Sequence, residues 1–206
     1  MKVDITDTLC YWKYNFDTNN ILEFLKESYD VMEFIDAERD GHGLWNKSID
    51  ESEIKNIKKG YLPKLILDGI GFCKDIHQST YNSVLTGAWI NVVRAKRARQ
   101  PIRDAKGEYI YHNHVSIAKR NNEYIPDYTF VFYFQMPDNL SGDDGKLFFK
   151  DYDGNEYSIL PNVGECIILK GDVPHAPIDA PNSSKDRIVL AGNVTFLNNK
   201  LKKTFI

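Results

Sequence analysis

A mainly β domain with helices on its N-terminal side is the fold class this sequence predicts. Three observations carry it. From about Ser83 onward, short runs rich in Val, Ile, Tyr, Phe and Trp follow one another. Turn-formers such as Asp153-Gly154 and Gly164 punctuate them. Before that point the apolar residues recur at helical rather than alternating spacing. Short strands in this rhythm fit an antiparallel sandwich or small barrel, with the helices laid on the outside of one sheet.

The elements follow in chain order. "TNNILEFLKESYDVMEFID" places Ile21, Leu22, Leu25, Tyr29, Met32 and Phe34 near helical spacing, with Thr18 or Asn19 as N-cap. "GHGLWNKS" reads as a loop. The stretch from Asp50 to Thr80 carries one or two helices, Pro63 being tolerated near a helix start. "AWINVVRA" is strand-like. "GEYIYHNHV" alternates, with Tyr109, Tyr111 and Asn113 on one face and Ile110, His112 and His114 on the other. "YTFVFYFQM" is a strong strand, and "GKLFFKDYDGNEYSIL" a hairpin turning at Asp153-Gly154. "GECIILKG" is a buried strand, and "DRIVLAGNVTFL" is the last long one. These readings make residues 1–206 a single domain, with a helical N-terminal layer over 1–83 and a β core over 84–197.

Composition excludes several classes. Apolar residues are 42% of the chain, enough for a globular core. A net charge of −3 gives no general attraction to nucleic acid or to an anionic membrane. The apolar runs are too short to span a bilayer. The first residues lack the basic end and apolar stretch of a signal peptide. Cys10, Cys73 and Cys166 are odd in number and form no C-x-x-C, which fits a reduced, cytoplasmic compartment without a structural disulfide.

The chemistry-bearing feature is His112-Asn113-His114. On a strand, residues two apart face the same way, so both imidazoles point to one side. Imidazole binds first-row metals such as Fe, Zn, Cu and Ni. A third ligand must come from elsewhere, and His175 in "LKGDVPHAPID" is the candidate, with Pro174 and Pro177 holding its chain extended. Three such ligands occupy one side of an ion and leave the other open. His42, between two glycines, and His77, near a helix end, read as structural. So does Arg187 when taken alone, as a strand-end charge. The letters H-N-H do not make a nuclease, whose histidines are spread over a hairpin and a helix.

In order and spacing these residues resemble the Fe(II)- and 2-oxoglutarate-dependent oxygenases of the double-stranded β-helix (jelly-roll) class. There a strand supplies H-x-D/E, a later strand the distal His, and an Arg beyond it opens the last core strand. The matching residues are His112 and His114, His175, and Arg187 in "KDRIVLAGNV". A subgroup of bacteria and marine phages is similar in more detail. Trp89-Ile90-Asn91, the H-x-H, "YTFVFYFQMP", "GECIILKGDVPH" and Arg187-Ile188 through Asn193 follow its order over about residues 84–197. The resemblance implies a dioxygenase, most simply a hydroxylase, that takes Fe(II), 2-oxoglutarate and O2. It also implies a cytoplasmic location, the host's if the chain is phage-encoded. Arg187 would hold the far carboxylate of 2-oxoglutarate, because its fork of donors matches a carboxylate. Tyr111, Tyr133 and Asn193 would be further co-substrate contacts.

The sequence departs from the family pattern twice. His114 stands where the wider family has Asp or Glu, so the ligand set is either His112, His114 and His175 or one that includes Asp127 at the start of the next strand. Val189 stands where many relatives carry a hydroxyl, a role open to Tyr111, Tyr128 or Tyr133. Two further readings remain: a cupin-type metalloenzyme that does not use 2-oxoglutarate, and a non-catalytic β-sandwich binding module. Cupins usually place a Glu a few residues after the histidine pair, and here the nearest is Glu123. The run from Arg94 to Arg103 reads as a solvated basic loop or a cradle for an acidic substrate, and residues 115–126 as a lid. The primary substrate and the oligomeric state are not legible.

Overall fold

The computed structural model describes residues 11–18, 41–45, 49–50, 61–78, 82–93, 95, 106, 108–115 and 126–197. Within them lie β1 (Tyr11–Asn15), β2 (Gly41–Trp45), β3 (Ile49–Asp50), α1 (Tyr61–His77), β4 (Ser83–Val93), β5 (Tyr128–Gln135), β6 (Leu147–Lys150), β7 (Glu156–Ile159), β8 (Glu165–Lys170), β9 (His175–Pro177) and β10 (Arg187–Phe196). The expected helix over 18–36, the basic run 94–103 and the lid 115–126 fall almost wholly outside the described residues. Among the described residues, no helix is long and apolar enough to cross a membrane.

The strands form two antiparallel sheets. The larger runs β1-β8-β5-β10-β4-β2, with β3 also on β4, and the smaller runs β7-β6-β9. β5 and β10 are central, which is why their sequences are near-continuously apolar: both faces are covered. On one face Phe130, Phe132, Ile168, Ile188, Leu190 and Val194 meet α1 through Leu65, Ile66, Ile70 and Cys73. These helix residues sit at the spacing that puts them on one side. Pro63 lies in the first turn, where backbone N–H groups have no helical partner anyway. On the other face Tyr133, Ile167, Leu169 and Val189 meet Leu147 and Phe149 of the smaller sheet.

Three expectations are corrected. The loop expected at "GHGLWNKS" contains β2, which pairs with β4 and sets His42 opposite Asn91. β4 is eleven residues long; its outer edge offers a ladder of backbone groups that a partner strand satisfies without any hydrophobic alternation of its own. The N-terminal layer is not purely helical, because β1, β2 and β3 all belong to the larger sheet. β1 packs aromatics on both faces, Tyr11 toward the smaller sheet and Tyr14 toward α1. That two-sided pattern has neither a strand's usual polar face nor a helical period. Finally, the strand expected at "GEYIYHNHV" is reduced, among the described residues, to isolated bridge positions at Tyr109 and His112, the latter paired with His175. His114 and Val115 already begin a helical turn. The hairpin at Asp153-Gly154 forms as expected: β6 pairs with β7. Asp151 ties its turn by accepting from the Asp153 and Asn155 backbone N–H groups at 3.0 and 2.8 Å.

Phe130 locks the helix to the sheet. It is fully buried, and a Cβ placed on Gly192, its cross-strand neighbour, would fall 2.3 Å from its ring. A Cβ on Gly69 of α1 would fall 2.9 Å from the other side. Gly192→Ala should therefore destabilise the protein by about 1–3 kcal/mol, the usual cost of overpacking a filled core. Urea denaturation checks this, and an unchanged midpoint would show that the ring has room to move.

Candidate metal centre

His112 and His175 exchange both backbone hydrogen bonds, N–H to O at 3.0 and 2.8 Å. A pair of this kind sets two side chains on the same face at close range, and the ring centroids are 4.3 Å apart. β9 is itself held to β6 through Phe149 opposite His175. His114 arrives differently. Its backbone N–H and that of Val115 both donate to the Gly171 carbonyl, at 3.0 and 3.1 Å. This turns the chain so that the His114 ring stacks 5.1 Å from that of His175. Trp89 of β4 covers it at 5.5 Å.

The three rings offer nitrogens that all lie within 4.8 Å of one another, the only such group among the described residues. One ion with bonds of about 2.1 Å reaches all three after small ring rotations. The ring edges are also sorted. His175 Nδ1 donates to the Val173 carbonyl at 3.0 Å, which leaves Nε2 as the free lone pair. His114 Nδ1 is taken up by the Asn193 side-chain amide at 3.3 Å, and Thr129 holds that amide at 2.7 Å. Partners of this type orient metal-binding imidazoles.

The cluster is electrostatically suited to a cation. Burial, reinforced by the neighbouring imidazoles, lowers His114 to about 2. Burial and His112 bring His175 to about 4, partly opposed by the Val173 carbonyl. His112 is the exposed member, yet enough protein surrounds its ring for desolvation to lower it too. Three neutral donors thus stand ready at neutral pH.

Asp127 is not in the group. Its Oδ2 accepts the Phe196 backbone N–H at 2.7 Å and so closes the end of β10. Tyr111 also lies elsewhere: it packs on the outer face of the smaller sheet beside Phe148 and hydrogen-bonds Glu156. Tyr128 turns toward α1, its hydroxyl 3.4 Å from His77. Tyr133 and Arg187 lie between the sheets, close enough that Arg187 opposes the upward push of burial on the tyrosine. Arg187 is buried. Its Nη1 donates to the Ile178 carbonyl at 2.9 Å and its Nη2 pairs with Asp179 at 3.0 Å. Asn193 contacts a histidine, a role the motif alone did not specify. Sequence reasoning missed Thr129, Val173, Gly171 and Asp179. The last three act through backbone geometry or lie in an irregular segment, where no periodic signal points to them.

Asn91 completes the inner face. It stands opposite Val189, which in turn stands opposite Tyr133, between the level of the histidines and that of Arg187. Its Oδ1 is buried without a protein partner. A polar ligand running from the histidines toward Arg187 would meet this amide, so the inner face fits a small polar acid as well as an ion.

No model of a known protein family matches the sequence, and no curated protein matches it. Solved structures do. A 2OG-Fe(II) oxygenase family oxidoreductase from Burkholderia pseudomallei superposes with a TM-score of 0.61 at 11% identity, covering 91% of this chain and 84% of that one. A prolyl-4-hydroxylase from Pseudomonas putida gives 0.55 at 13% identity, over 92% and 94%. HygX from Streptomyces hygroscopicus, solved with nickel and 2-oxoglutarate bound, gives 0.51 at 11% identity, over 91% and 83%. At such identities the likeness establishes a shared fold.

Two predictions follow from the cluster. His114 and His175 titrate at 6.5 when unfolded but well below it when folded. The unfolded chain therefore binds protons the folded one refuses. Stability of the metal-free protein should be full above pH 6.5 and fall, by roughly 1.4 kcal/mol per pH unit for each of these two groups, as the pH drops toward 4. Urea melts across that window measure it, and a flat profile would contradict the buried neutral imidazoles. Separately, His175→Ala should remove Fe(II) or Mn(II) binding in calorimetry. Asp127→Ala should bind metal like wild type while losing about 1 kcal/mol of stability.

Proposed function

We propose that this protein is a non-haem Fe(II)- and 2-oxoglutarate-dependent dioxygenase, a hydroxylase in its simplest form, built on a double-stranded β-helix. The observation that carries the reading is the convergence of His112, His114 and His175 on one point inside a fold shared with oxygenases of this class. The two facing antiparallel sheets support the jelly-roll description. The attachment of β1, β2, β3 and α1 to the sheet built by the later strands supports one domain over residues 1–206. The subgroup resemblance to bacterial and phage proteins, with a cytoplasmic location, belongs to the same proposal.

When bound, Fe(II) and 2-oxoglutarate together supply the oxidising chemistry: O2 is consumed, 2-oxoglutarate loses CO2 to become succinate, and a substrate C–H bond is oxidised. The chain's own residues do the rest. The three imidazoles would hold the ion, Nε2 of His175 being presented by the Val173 carbonyl behind it. Asn193 and Thr129 fix the His114 ring. Arg187 on β10 would receive the far carboxylate of 2-oxoglutarate, with Tyr133 beside the arginine and the Asn91 amide available to the same ligand. Trp89 closes one wall and the packed core behind Val189 excludes water, which strengthens each of these polar contacts.

Anaerobic addition of Fe(II) and 2-oxoglutarate tests this. A weak visible charge-transfer band should appear only with both present and should be lost in His175→Ala. Metal binding without any response to 2-oxoglutarate would favour the cupin-type reading, and absence of metal binding the non-catalytic module.

A further inference from the structure

The anchoring arginine does not present a bare charge. Arg187 Nη2 lies 3.0 Å from Asp179 Oδ1, with side chains only 7% and 13% exposed. Its Nη1 is committed to the Ile178 carbonyl. At the other end of the site the candidate ligands are three neutral imidazoles, and among the described residues no carboxylate joins them. A 2-His-1-carboxylate site keeps its acid on the metal. Here an acid largely shielded from solvent stands four residues after His175, against the arginine.

Resting on the co-substrate reading above, we infer that Asp179 is a specificity-determining residue: it neutralises Arg187 and shifts recognition of the 2-oxo acid from its far carboxylate to its metal-binding end. The charge balance supports this. With a divalent ion and a dianionic 2-oxo acid bound, a site with one ligand carboxylate and one free arginine is neutral overall. Counting the described residues, this site reaches the same total with the acid moved from the metal to the arginine. The distribution differs, however. The metal end keeps its full double charge and pulls harder on the 2-oxo carboxylate. The far carboxylate meets an ion pair, where attraction to Arg187 is offset by repulsion from Asp179 at similar range. The nearby Tyr133, kept neutral by its burial, offers a hydroxyl that does not depend on charge. A monocarboxylic 2-oxo acid therefore loses little by lacking the far group.

The test compares 2-oxoglutarate with 2-oxopentanoate, which has the same carbon chain without the far carboxylate. Both are titrated calorimetrically into the Mn(II)-loaded protein. Wild type should prefer 2-oxoglutarate by less than about thirtyfold in Kd. Asp179→Asn, which keeps a hydrogen-bonding group against Arg187, should tighten 2-oxoglutarate by about tenfold or more and leave 2-oxopentanoate unchanged. A larger wild-type preference, or weaker 2-oxoglutarate binding in Asp179→Asn, would overturn the proposal and make Asp179 a mere support for the arginine. The wild-type ratio decides the matter by itself if the variant does not fold. Failure of both acids to bind a metal-loaded wild type is a different result: it overturns the co-substrate reading, and this inference with it.

Discussion

The two hydrogen bonds that His112 and His175 exchange are the constraint on which the site depends. They join a segment that forms no strand among the described residues to β9, a strand of three residues. Neither piece is long enough to hold a geometry alone. β9 is fixed by β6, and β6 presents Phe149 to the core between the sheets. Ligand placement thus draws on the packing of the whole smaller sheet. Hydrophobic burial fixes the sheet, the sheet fixes the bridge, and the bridge puts two imidazoles side by side.

β10 is the second organising element. It lies between β4 and β5, and its inner face carries Arg187, Val189, Ala191 and Asn193 in sequence. The polar residues at its ends serve different parts of the site: Asn193 meets His114, and Arg187 meets Asp179. Only small apolar side chains stand between them. Buried polar groups are costly unless partnered, and nearly every one along this face has a protein partner. Along this face the exception is Asn91 Oδ1. Its position, midway along the face, is where a bound acid would lie.

Much of this was legible in the sequence because it was periodic or chemically distinctive. The alternating and apolar runs at 128–135, 165–170 and 187–196 are strands β5, β8 and β10. The apolar spacing of Leu65, Ile66 and Ile70 is the buried side of α1. The H-x-H pair with His175 marked the cluster, although strand alternation was the wrong reason for its convergence. A helical turn at His114, tied to the Gly171 carbonyl, brings the third ring in. What was not legible depends on backbone partners remote in sequence. β2 forms because β4 has an open edge, and nothing in "GHGLW" announces it. Asp127 looked like a ligand because it begins a strand, yet its carboxylate closes the end of β10. Tyr111 looked like a co-substrate contact, but alternation carries it to the outer face. Asp179 left no trace, since a lone acid after "HAPI" could serve any purpose until the fold sets it against Arg187.

The central claim is that the ion is held by three histidines without a protein carboxylate. X-ray absorption of the Co(II)-loaded protein measures this directly, because multiple scattering from imidazole rings reports how many are bound. Three imidazoles per ion, in wild type and in Asp127→Ala alike, is the result expected from the geometry. Two imidazoles with a protein carboxylate in the remaining position would contradict it.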